Sequence, residues 1–324
     1  MKDQPQTLQQ VIRHYSDPET CIQAVAASRW PNGVACPACE GKNHYYLKTR
    51  RIWKCKECGR QFSVKLGTIF EDSPIGLDKW LTAMWLLASC KNGISSYEVG
   101  RALGVTQRTA WFMMHRIRTA VSESSFVKLP NTGAPVEIDE TFIGGKARNM
   151  HAHRRAKLRK QAGGLAGGNA KTIVMGLLER GGKVKAMVIP ARKRETVTEI
   201  IRECVEPGAN IMTDQATCYD YLKEEYAHEI INHMEGYVRE HVSTNGIENF
   251  WSLLKRGLGG TYVSVEPFHL FRYLDEQMFR YNNRATKDNP LNDSDRFVAA
   301  LAQVAGKRLT YKELTGKSGS TETF

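Results

Sequence analysis

Two pairs of cysteines constrain the fold of this chain more than any other feature of its sequence. They are Cys36-Pro-Ala-Cys39 and Cys55-Lys-Glu-Cys58, with fifteen residues between the pairs. Each Cys-x-x-Cys turn places two thiolates on one side of a tight loop, and two such turns complete a tetrahedron around one zinc ion. Because four cysteines fill the site and leave no position open for water, the Zn²⁺ is expected to be structural.

The residues around the cysteines predict a zinc ribbon. Residues 45–49 and 51–54 alternate like the strands of a hairpin, and residues 61–64 add a third strand. A redox-active cysteine pair is the alternative, but the βαβ pattern that accompanies such pairs is missing from the sequence around them.

The charge of the chain points to a polyanionic partner. The 324 residues carry a formal net charge of +12, with a pI near 9.3, and nucleic acid is the simplest such partner. We expect no membrane association, because no apolar run reaches the length of a membrane span. The N-terminus lacks the apolar core of a signal peptide, so a cytoplasmic location is expected.

Residues 71–130 have the pattern of a helix-turn-helix DNA-binding domain. A helix over residues 94–103 is followed by a turn at Gly104, and Thr106 then caps a basic helix. In a helix-turn-helix the start of the second helix faces the DNA. The candidate DNA contacts are therefore Gln107, Arg108 and Arg116, with His115 beside them. A three-helix bundle without DNA contacts is the alternative.

From residue 135 the pattern changes to a mixed α/β arrangement. Alternating segments over residues 136–145, 171–179 and 183–190 predict three strands, the last two joined by a glycine-containing turn. A helix, a short strand ending at Asp214, a second helix, another strand and a final helix follow. This order predicts a ribonuclease-H-like domain with a mixed sheet.

The final helix of that series, residues 243–258, has two distinct faces. Its apolar positions recur every three or four residues and comprise Ile247, Phe250, Trp251, Leu254 and Leu258. Its polar positions lie on the opposite side and comprise Asn245, Glu248, Ser252 and Lys255. The apolar face is expected to pack on the sheet, which directs Glu248 and Lys255 away from the core.

Three acidic residues from separate elements are candidates for a divalent metal site. Asp139 lies within the first strand of the domain, Asp214 ends the fourth, and Glu248 projects from the helix. Carboxylate oxygens are the ligands that Mg²⁺ prefers, and a pair of such ions supports in-line phosphoryl transfer. Glu137 and Glu140 flank Asp139, on its own and on the opposite strand face respectively, and each fits a solvated strand carboxylate.

A basic segment follows the first strand. Residues 146–160 contain seven Lys or Arg and no acidic residue. Such a segment beside a metal site is suited to bind DNA phosphates, although a solvated loop has the same composition. The expected DNA contacts here and after the helix are Lys146, Arg154, Arg155, Lys157, Arg159 and Arg256.

The motifs of the C-terminal half resemble those of bacterial insertion-sequence transposases of the DDE class. The closest group is the ISXO2-like group, which has an N-terminal zinc ribbon and is related to Merlin elements. The motifs that carry the resemblance are Ile138-Asp-Glu-Thr, Thr213-Asp214, Thr244-Asn-Gly-Ile-Glu-Asn-Phe-Trp-Ser-Leu-Leu-Lys-Arg and Phe279-Arg-Tyr-Asn-Asn-Arg.

This resemblance implies a chemistry and a set of partners. It implies cleavage of DNA at element ends and joining of 3′-hydroxyls to target DNA, with two Mg²⁺ or Mn²⁺ ions. The implied triad is Asp139, Asp214 and Glu248, with Lys255 as the following basic residue and Asn245 as the alternative third ligand. Terminal inverted repeats and target DNA are the implied partners, and a homodimer or larger assembly on the DNA of the nucleoid is expected.

The expected organisation is therefore multidomain, with α and β elements. N-terminal helices and the ribbon occupy residues 1–70, the helix-turn-helix domain residues 71–130 and the catalytic domain residues 135–305. A C-terminal tail occupies residues 306–324. A metal-dependent nuclease on the same fold and a non-catalytic DNA-binding regulator derived from a transposase are the alternative functions.

Overall fold

The protein forms two compact units. The computed structural model describes residues 4–123, 127–130, 133–145, 152, 171–214, 219, 222, 225–231, 244–287 and 289–316. The first unit combines the described residues up to Ser122 with those from Asn283 onward, and the second comprises those from Glu123 to Asn282. Among the described helices, none has both the length and the apolar character that a membrane crossing requires.

The first unit begins with two capped helices. Helix α1 spans Leu8–His14 and is capped by Thr7, and helix α2 spans Pro18–Arg29 and is capped by Asp17. Each cap side chain accepts a hydrogen bond from a backbone N–H that has no partner within the helix. These caps explain why the two short helices begin where they do.

A three-stranded antiparallel sheet follows the two helices, as the spacing of the cysteines predicts. Strand β1 spans His44–Leu47, β2 spans Ile52–Cys55 and β3 spans Gln61–Phe62, with β2 in the centre. The Trp53 ring of β2 packs between Tyr46 and Phe62, with ring centroids 4.9 and 6.0 Å away. This aromatic cluster gives the small sheet an apolar face beside the cysteines.

Three helices follow the ribbon in the predicted order. Helix α3 spans Leu77–Ser89, α4 spans Ser96–Leu103 and α5 spans Gln107–Val121. Gly104 ends α4 with a φ of 61°, a conformation that glycine adopts without a steric penalty. Thr106 then accepts a hydrogen bond from the Thr109 N–H and begins α5. The helix, tight turn and capped helix predicted from the sequence are all present.

The second half of α5 faces the core, which contradicts the predicted DNA contact at Arg116. Arg116 is 4% exposed and His115 is fully buried. The Arg116 guanidinium donates to the backbone carbonyl of Glu71 and lies over the rings of Trp80 and Phe112, 5.6 and 5.4 Å from their centroids. A basic side chain in these surroundings stabilises the fold and has no access to DNA.

The C-terminal residues complete the first unit. The sequence predicted that the catalytic domain extends to residue 305, whereas the residues from Asn283 onward belong to the first unit. Helix α9 spans Asp293–Leu301 and packs on α3. Its Phe297 ring lies 5.7 Å from that of Trp85, and the Arg296 Nε donates to the Ala88 carbonyl at 3.1 Å. These contacts join residues 208 positions apart along the chain, Ala88 and Arg296, and local sequence patterns do not reveal such contacts.

Residues 306–316 also belong to this core, although the sequence analysis assigned them to a tail. The Lys307 ammonium donates to the Ala120 carbonyl at the end of α5, at 2.6 Å. Helix α10, Tyr311–Leu314, packs on α5, and both Leu309 and Leu314 are buried. The rest of the predicted tail, residues 317–324, lies outside the described residues.

The second unit is built on a mixed sheet. Its strands are β4 Val136–Ile143, β5 Thr172–Glu179, β6 Val184–Ile189, β7 Asn210–Asp214 and β8 Ala227–Ile231. They lie in the order β6-β5-β4-β7-β8. The β4–β5 and β5–β6 pairs are antiparallel, whereas β7 is parallel to both β4 and β8. The central strand β4 therefore carries the predicted Asp139 between two neighbours.

Helices cover both faces of this sheet. Helix α6, Arg194–Cys204, packs on one face against alternate residues of the strands, including Val136, Ile138, Met175 and Leu177. Helices α7, Asn245–Arg256, and α8, Leu270–Asn282, pack on the other face against Val174, Leu178, Val184 and Ala186. A π-helix, Gly257–Thr261, continues directly from α7, and a 3₁₀ turn, Pro267–His269, precedes α8.

The buried position of Arg116 leads to a stability test. Replacing Arg116 with Ala removes a hydrogen bond to the Glu71 carbonyl and leaves a cavity beside Trp80. The free energy of unfolding of the first unit, measured by urea denaturation, is expected to fall by about 2–4 kcal/mol.

The matched control is Arg101→Ala, because Arg101 lies exposed on the preceding helix. Its effect on stability is expected to be about 0.5 kcal/mol or less. Equal stabilities of the two variants would contradict a structural role for Arg116.

Candidate active site and metal centre

Helix α7 docks on the sheet through the apolar stripe predicted from its sequence. Ile247, Phe250, Trp251 and Leu254 are all buried against β5, β6 and α8. On the opposite side of the helix, the side chains of Asn245, Glu248, Ser252 and Lys255 are exposed.

Glu137 of β4 binds the N-terminus of α7. The side chain of Thr244, which precedes the helix, makes no capping hydrogen bond within it. Instead, the Ile247 N–H donates to Oε2 of Glu137 at 2.9 Å, while the Arg180 Nε donates to Oε1 at 3.1 Å. A carboxylate at this end of the helix is favoured by the free N–H groups and by the helix dipole.

Gly246 makes the close approach of Glu137 possible. A Cβ atom at Gly246 would lie 2.7 Å from the same carboxylate oxygen of Glu137. Glu137 itself is 1% exposed. It is therefore not the solvated side chain that the sequence suggested but a cap that fixes α7 to the central strand.

Trp251 binds the carboxylate of Asp139. Its indole Nε1 donates to Oδ2 at 3.0 Å, and the Glu140 N–H donates to Oδ1 at 2.8 Å. Gly176 lies directly opposite Asp139 in the β4–β5 pair. A Cβ atom at Gly176 would lie 2.6 Å from the Trp251 ring, so the indole reaches the aspartate only because this position has no side chain.

Arg192 lies on the loop after β6 and forms ion pairs with two other carboxylates. Its Nε lies 2.9 Å from Oε2 of Glu140, and its Nη2 lies 3.4 Å from Oδ1 of Asp214. The hydroxyl of Tyr219 also donates to Glu140, whose side chain is 1% exposed. Glu140 is thus a buried partner of Arg192, not a solvated strand residue, and it lies on the opposite face from Asp139 as the alternation predicted.

The pKa values indicate that the acidic groups interact with each other. Burial raises the pKa of Asp139, and the charges of Asp214 and Glu248 raise it further, against the lowering effect of hydrogen bonds from Glu140 and Trp251. Burial also raises the pKa of Glu140, against the lowering effects of the Tyr219 hydroxyl and of Arg192. Asp139 therefore lies close enough to both predicted partners for their negative charges to oppose its ionisation.

This donor set suits hard divalent cations. Asp139, Asp214 and Glu248 offer oxygen ligands alone, as Mg²⁺ and Mn²⁺ prefer. A bound cation would also offset the repulsion that raises the pKa of Asp139. Within the described residues, the three carboxylates are not gathered closely enough to share one ion as the cysteines are.

The four cysteines form the second metal centre. Their sulfur atoms all lie within 4.8 Å of one another, with Cys36–Cys58 and Cys39–Cys55 separations of 3.6 Å. A tetrahedron with Zn–S bonds of about 2.3 Å has edges of about 3.8 Å, so the arrangement fits zinc. His44 does not belong to this group, because its Nε2 lies 2.9 Å from the Val34 carbonyl.

The predicted DNA contacts have different surroundings. Gln107 donates to the Ser96 hydroxyl at 2.9 Å, and Arg108 lies exposed against Tyr311, with its Nε donating to the hydroxyl at 2.9 Å. Arg256 is exposed at the end of α7. The five basic residues expected to bind phosphates between β4 and β5 lie outside the described residues: Lys146, Arg154, Arg155, Lys157 and Arg159.

The residues that hold the acidic cluster in place were not recognised from the sequence. Trp251 was assigned to the apolar stripe alone, and its position three residues after Glu248 was the available signal that it borders the polar face. Gly176 within a strand indicates a close approach of another group. Arg192 lies among other basic residues of a loop, and its sequence carries no signal of its role.

Comparison with known proteins identifies both parts of the chain. A model of the ISXO2-like transposase domain matches residues 132–282, which contain all three acidic residues and the whole mixed sheet. A model of the transposase zinc-ribbon domain matches residues 16–61, which contain the four cysteines. The chain belongs to the ISXO2-like transposase family. The end of the domain match at residue 282 coincides with the end of the second unit.

Two relatives agree with this assignment. The chain is 26% identical over 283 residues to a protein from Halobacterium salinarum described as an uncharacterized protein in transposable element ISH50, covering 83% of this chain and 94% of that protein. It is 37% identical over 106 residues to an uncharacterized transposase-like protein from Haemophilus influenzae, covering 32% of this chain and 85% of that one.

The contact between Gly176 and Trp251 can be tested by adding one methyl group. Gly176→Ala places a Cβ atom where the indole lies, so Trp251 must shift away from Asp139. The free energy of unfolding, measured by urea denaturation, is expected to fall by about 1–3 kcal/mol. Gly145→Ala is the control, because a Cβ atom there meets no atom within 4 Å. Equal stability of the two variants would rule out close packing at this position.

The cysteine cluster leads to a prediction about metal content. Cys36→Ser is expected to lower the zinc content from one ion per chain to none, measured by mass spectrometry of the purified protein. Structural zinc contributes about 10–16 kcal/mol of binding free energy in small zinc-finger peptides, so the ribbon is also expected to unfold.

Cys90→Ser is the control for the zinc measurement, because Cys90 lies outside the cluster. It is expected to retain one zinc ion per chain. Zinc retained in the Cys36 variant, or lost in both, would contradict the assignment of the four ligands.

Proposed function

We propose that this protein catalyses transposition: it binds the ends of its element, cleaves the DNA and joins the 3′-hydroxyl ends to target DNA. The observation that carries the proposal is the position of Asp139. This carboxylate lies on the central strand and is bound by Trp251, and its pKa is raised by burial and further by the charges of Asp214 and Glu248. Phosphoryl transfer by two metal ions requires such a cluster of carboxylates from separate elements.

The topology of the second unit supports a ribonuclease-H-like fold. In that fold three antiparallel strands precede two strands that lie parallel to the first. Numbered within the unit, the observed order is 3-2-1-4-5, with strands 4 and 5 parallel to strand 1. Asp139 and Asp214 then lie on adjacent parallel strands, β4 and β7.

Asp139, Asp214 and Glu248 are the proposed ligands of two Mg²⁺ or Mn²⁺ ions. When bound, such ions would activate the attacking water or 3′-hydroxyl and stabilise the leaving oxygen. Other residues of the chain hold these three carboxylates in position. Glu137 fixes the start of α7, and Trp251 fixes the carboxylate of Asp139. Arg192 brings a positive charge to Asp214.

Glu248 is the proposed third ligand, in preference to Asn245. Its charge contributes to the raised pKa of Asp139, and the Thr244 hydroxyl donates to its Oε1 at 3.2 Å. A charged oxygen is also the stronger ligand for Mg²⁺ than an amide. Lys255, exposed two turns further along the same face, is proposed to bind a DNA phosphate.

DNA binding is proposed to involve both units. In the first unit, α4 and α5 have the form of a helix-turn-helix, with Gln107 and Arg108 at the start of the second helix. In the second, Arg256 and the basic segment that begins at Lys146 are proposed to bind phosphates. The ribbon is proposed to hold structural Zn²⁺. A dimer or larger assembly on the DNA of the nucleoid is proposed because joining requires two element ends.

The test is a strand-joining reaction. Pre-cleaved terminal DNA is incubated with Mg²⁺ and a target plasmid, and the joined product is measured on a gel. Asp139→Asn is expected to lower the yield by roughly three orders of magnitude, because the amide is a far weaker metal ligand than the carboxylate. The affinity for DNA is expected to be unchanged. The control, Glu199→Gln, removes an exposed carboxylate of α6 and is expected to join normally.

Two further variants compare the candidate third ligands in the same reaction. Glu248→Gln is expected to match Asp139→Asn, and Asn245→Ala is expected to retain most of the activity. The reverse result would assign the ligand to Asn245. Unchanged joining in Asp139→Asn would refute the catalytic site, and cleavage by the wild type without joining would indicate a nuclease instead.

A further inference from the structure

A strained turn lies at the end of the helix that carries Glu248. The Ser264 N–H donates to the Tyr262 carbonyl at 2.6 Å, which closes a three-residue turn around Val263. Val263 has a φ of 62°. This left-handed conformation is unfavourable for a β-branched side chain, whereas glycine adopts it freely. Strain of this kind persists only where the surrounding structure imposes it, and it is most frequent at functional sites.

The surrounding structure holds this turn firmly. Leu258 and Val265, on either side of it, both pack against the core between the sheet, α7 and α8. The Tyr262 hydroxyl donates to Glu276 of α8, and its ring lies 4.7 Å from that of Tyr273. The turn is therefore a rigid extension of the catalytic unit.

Val263 projects from this rigid turn into solvent. It is 78% exposed, the most exposed of the large apolar side chains in the described part of the chain. Phe268, five residues further on, is 52% exposed. A strained backbone that presents an apolar side chain to water has no benefit for the stability of the unit, so a role in binding is the more economical explanation.

The charge of this region indicates what it contacts. From Asn249 to Val265 the sequence contains no acidic residue, whereas Lys255 and Arg256 are both exposed. An apolar tip that follows exposed cations matches DNA, in which phosphates surround the apolar faces of stacked bases. Proteins that kink DNA insert an apolar side chain between two base pairs in this way.

The distance between Val263 and the acidic cluster would allow both to contact the same DNA duplex. Val263 follows Glu248 by fifteen residues: the first eight complete α7 and rise about 12 Å along its axis, and the next five form the π-helix that continues it, so the separation is on the order of 20 Å. With about 3.4 Å per base pair, this spans about six base pairs. The turn therefore lies within reach of the DNA on either side of a phosphate bound at the acidic cluster.

We propose that Val263 is an apolar wedge that inserts between base pairs of the terminal DNA, within about six base pairs of the cleaved phosphate. This inference rests on the proposed function. The insertion unstacks one base step and bends the duplex, which brings the phosphate to the acidic residues.

The test uses terminal duplexes with 2-aminopurine at single positions on both sides of the cleavage site, because the fluorescence of this base rises when it is unstacked. Ca²⁺ replaces Mg²⁺ so that the DNA stays intact. Wild-type protein is expected to raise the fluorescence several-fold at one or two adjacent positions. Val263→Gly is expected to abolish this rise and to slow cleavage in Mg²⁺ by at least about tenfold.

The choice of glycine protects the experiment from loss of folding. Glycine relieves the strain at a φ of 62°, so the melting temperature is expected to stay the same or rise. Val263→Leu keeps a wedge and is expected to retain the fluorescence rise. Glu199→Gln again serves as the unrelated surface control.

Each other outcome contradicts the inference in a distinguishable way. Wild-type cleavage without a fluorescence change at any position, or an unchanged signal in Val263→Gly, would overturn the wedge and leave the proposed function intact. If Val263→Gly lost assembly on DNA while the fluorescence rise remained, the turn would bind a second copy of the chain. Wild-type protein that neither cleaves nor joins terminal DNA would instead refute the proposed function.

Discussion

The arrangement of the second unit depends on how helix α7 is held against strand β4. Two hydrogen bonds from α7 to acidic residues of this strand make the connection: the Ile247 N–H to Glu137, and the Trp251 indole to Asp139. Glycines at Gly246 and Gly176 allow both contacts, because a side chain at either position would collide with the partner. The acidic residues of one strand thus have separate tasks. Glu137 holds the helix, and Asp139 remains available beside Asp214 and Glu248.

This arrangement places negative charges close together at a cost to stability. The raised pKa of Asp139 reflects burial and the repulsion of its neighbours, and only Arg192 is seen to bring a positive charge to Asp214 within the described residues. Groups held in such unfavourable surroundings are typical of functional sites. The strained backbone at Val263 belongs to the same unit and follows the same helix. Bound cations would explain the clustered carboxylates, and bound DNA would explain the strained turn at Val263.

Most elements of the fold could be predicted from the sequence because they depend on local patterns. Apolar residues at intervals of two and of three or four predicted the strands and α7, and side chains such as Thr106 predicted where helices begin. The spacing of the cysteines predicted the ribbon, since the ligand geometry leaves few alternatives. The three acidic residues could be selected because they lie at the ends or in the middle of recognisable elements.

The remaining features depend on contacts between distant parts of the chain. Arg116 has the sequence position of a DNA contact, but residues near Glu71 and Trp80 bury it. The C-terminal helices look like the end of the catalytic domain, yet they complete the first unit through residues such as Phe297. Alternation along β4 correctly separated the faces of Glu137 and Glu140, but it could not show that each has a buried partner. Sequence periodicity predicts the face of an element on which a side chain lies, but it does not predict which distant residues that side chain contacts.

We propose that Asp139, Asp214 and Glu248 form a metal site distinct from that of the four cysteines. The most direct test is a crystal structure of the protein with Mn²⁺ and terminal DNA, with anomalous diffraction measured at the manganese and zinc absorption edges. The proposed metal site predicts manganese peaks between Asp139 and Asp214, within ligand distance of Glu248, and one zinc peak among the cysteines. The absence of manganese from the acidic residues, with DNA bound, would contradict it.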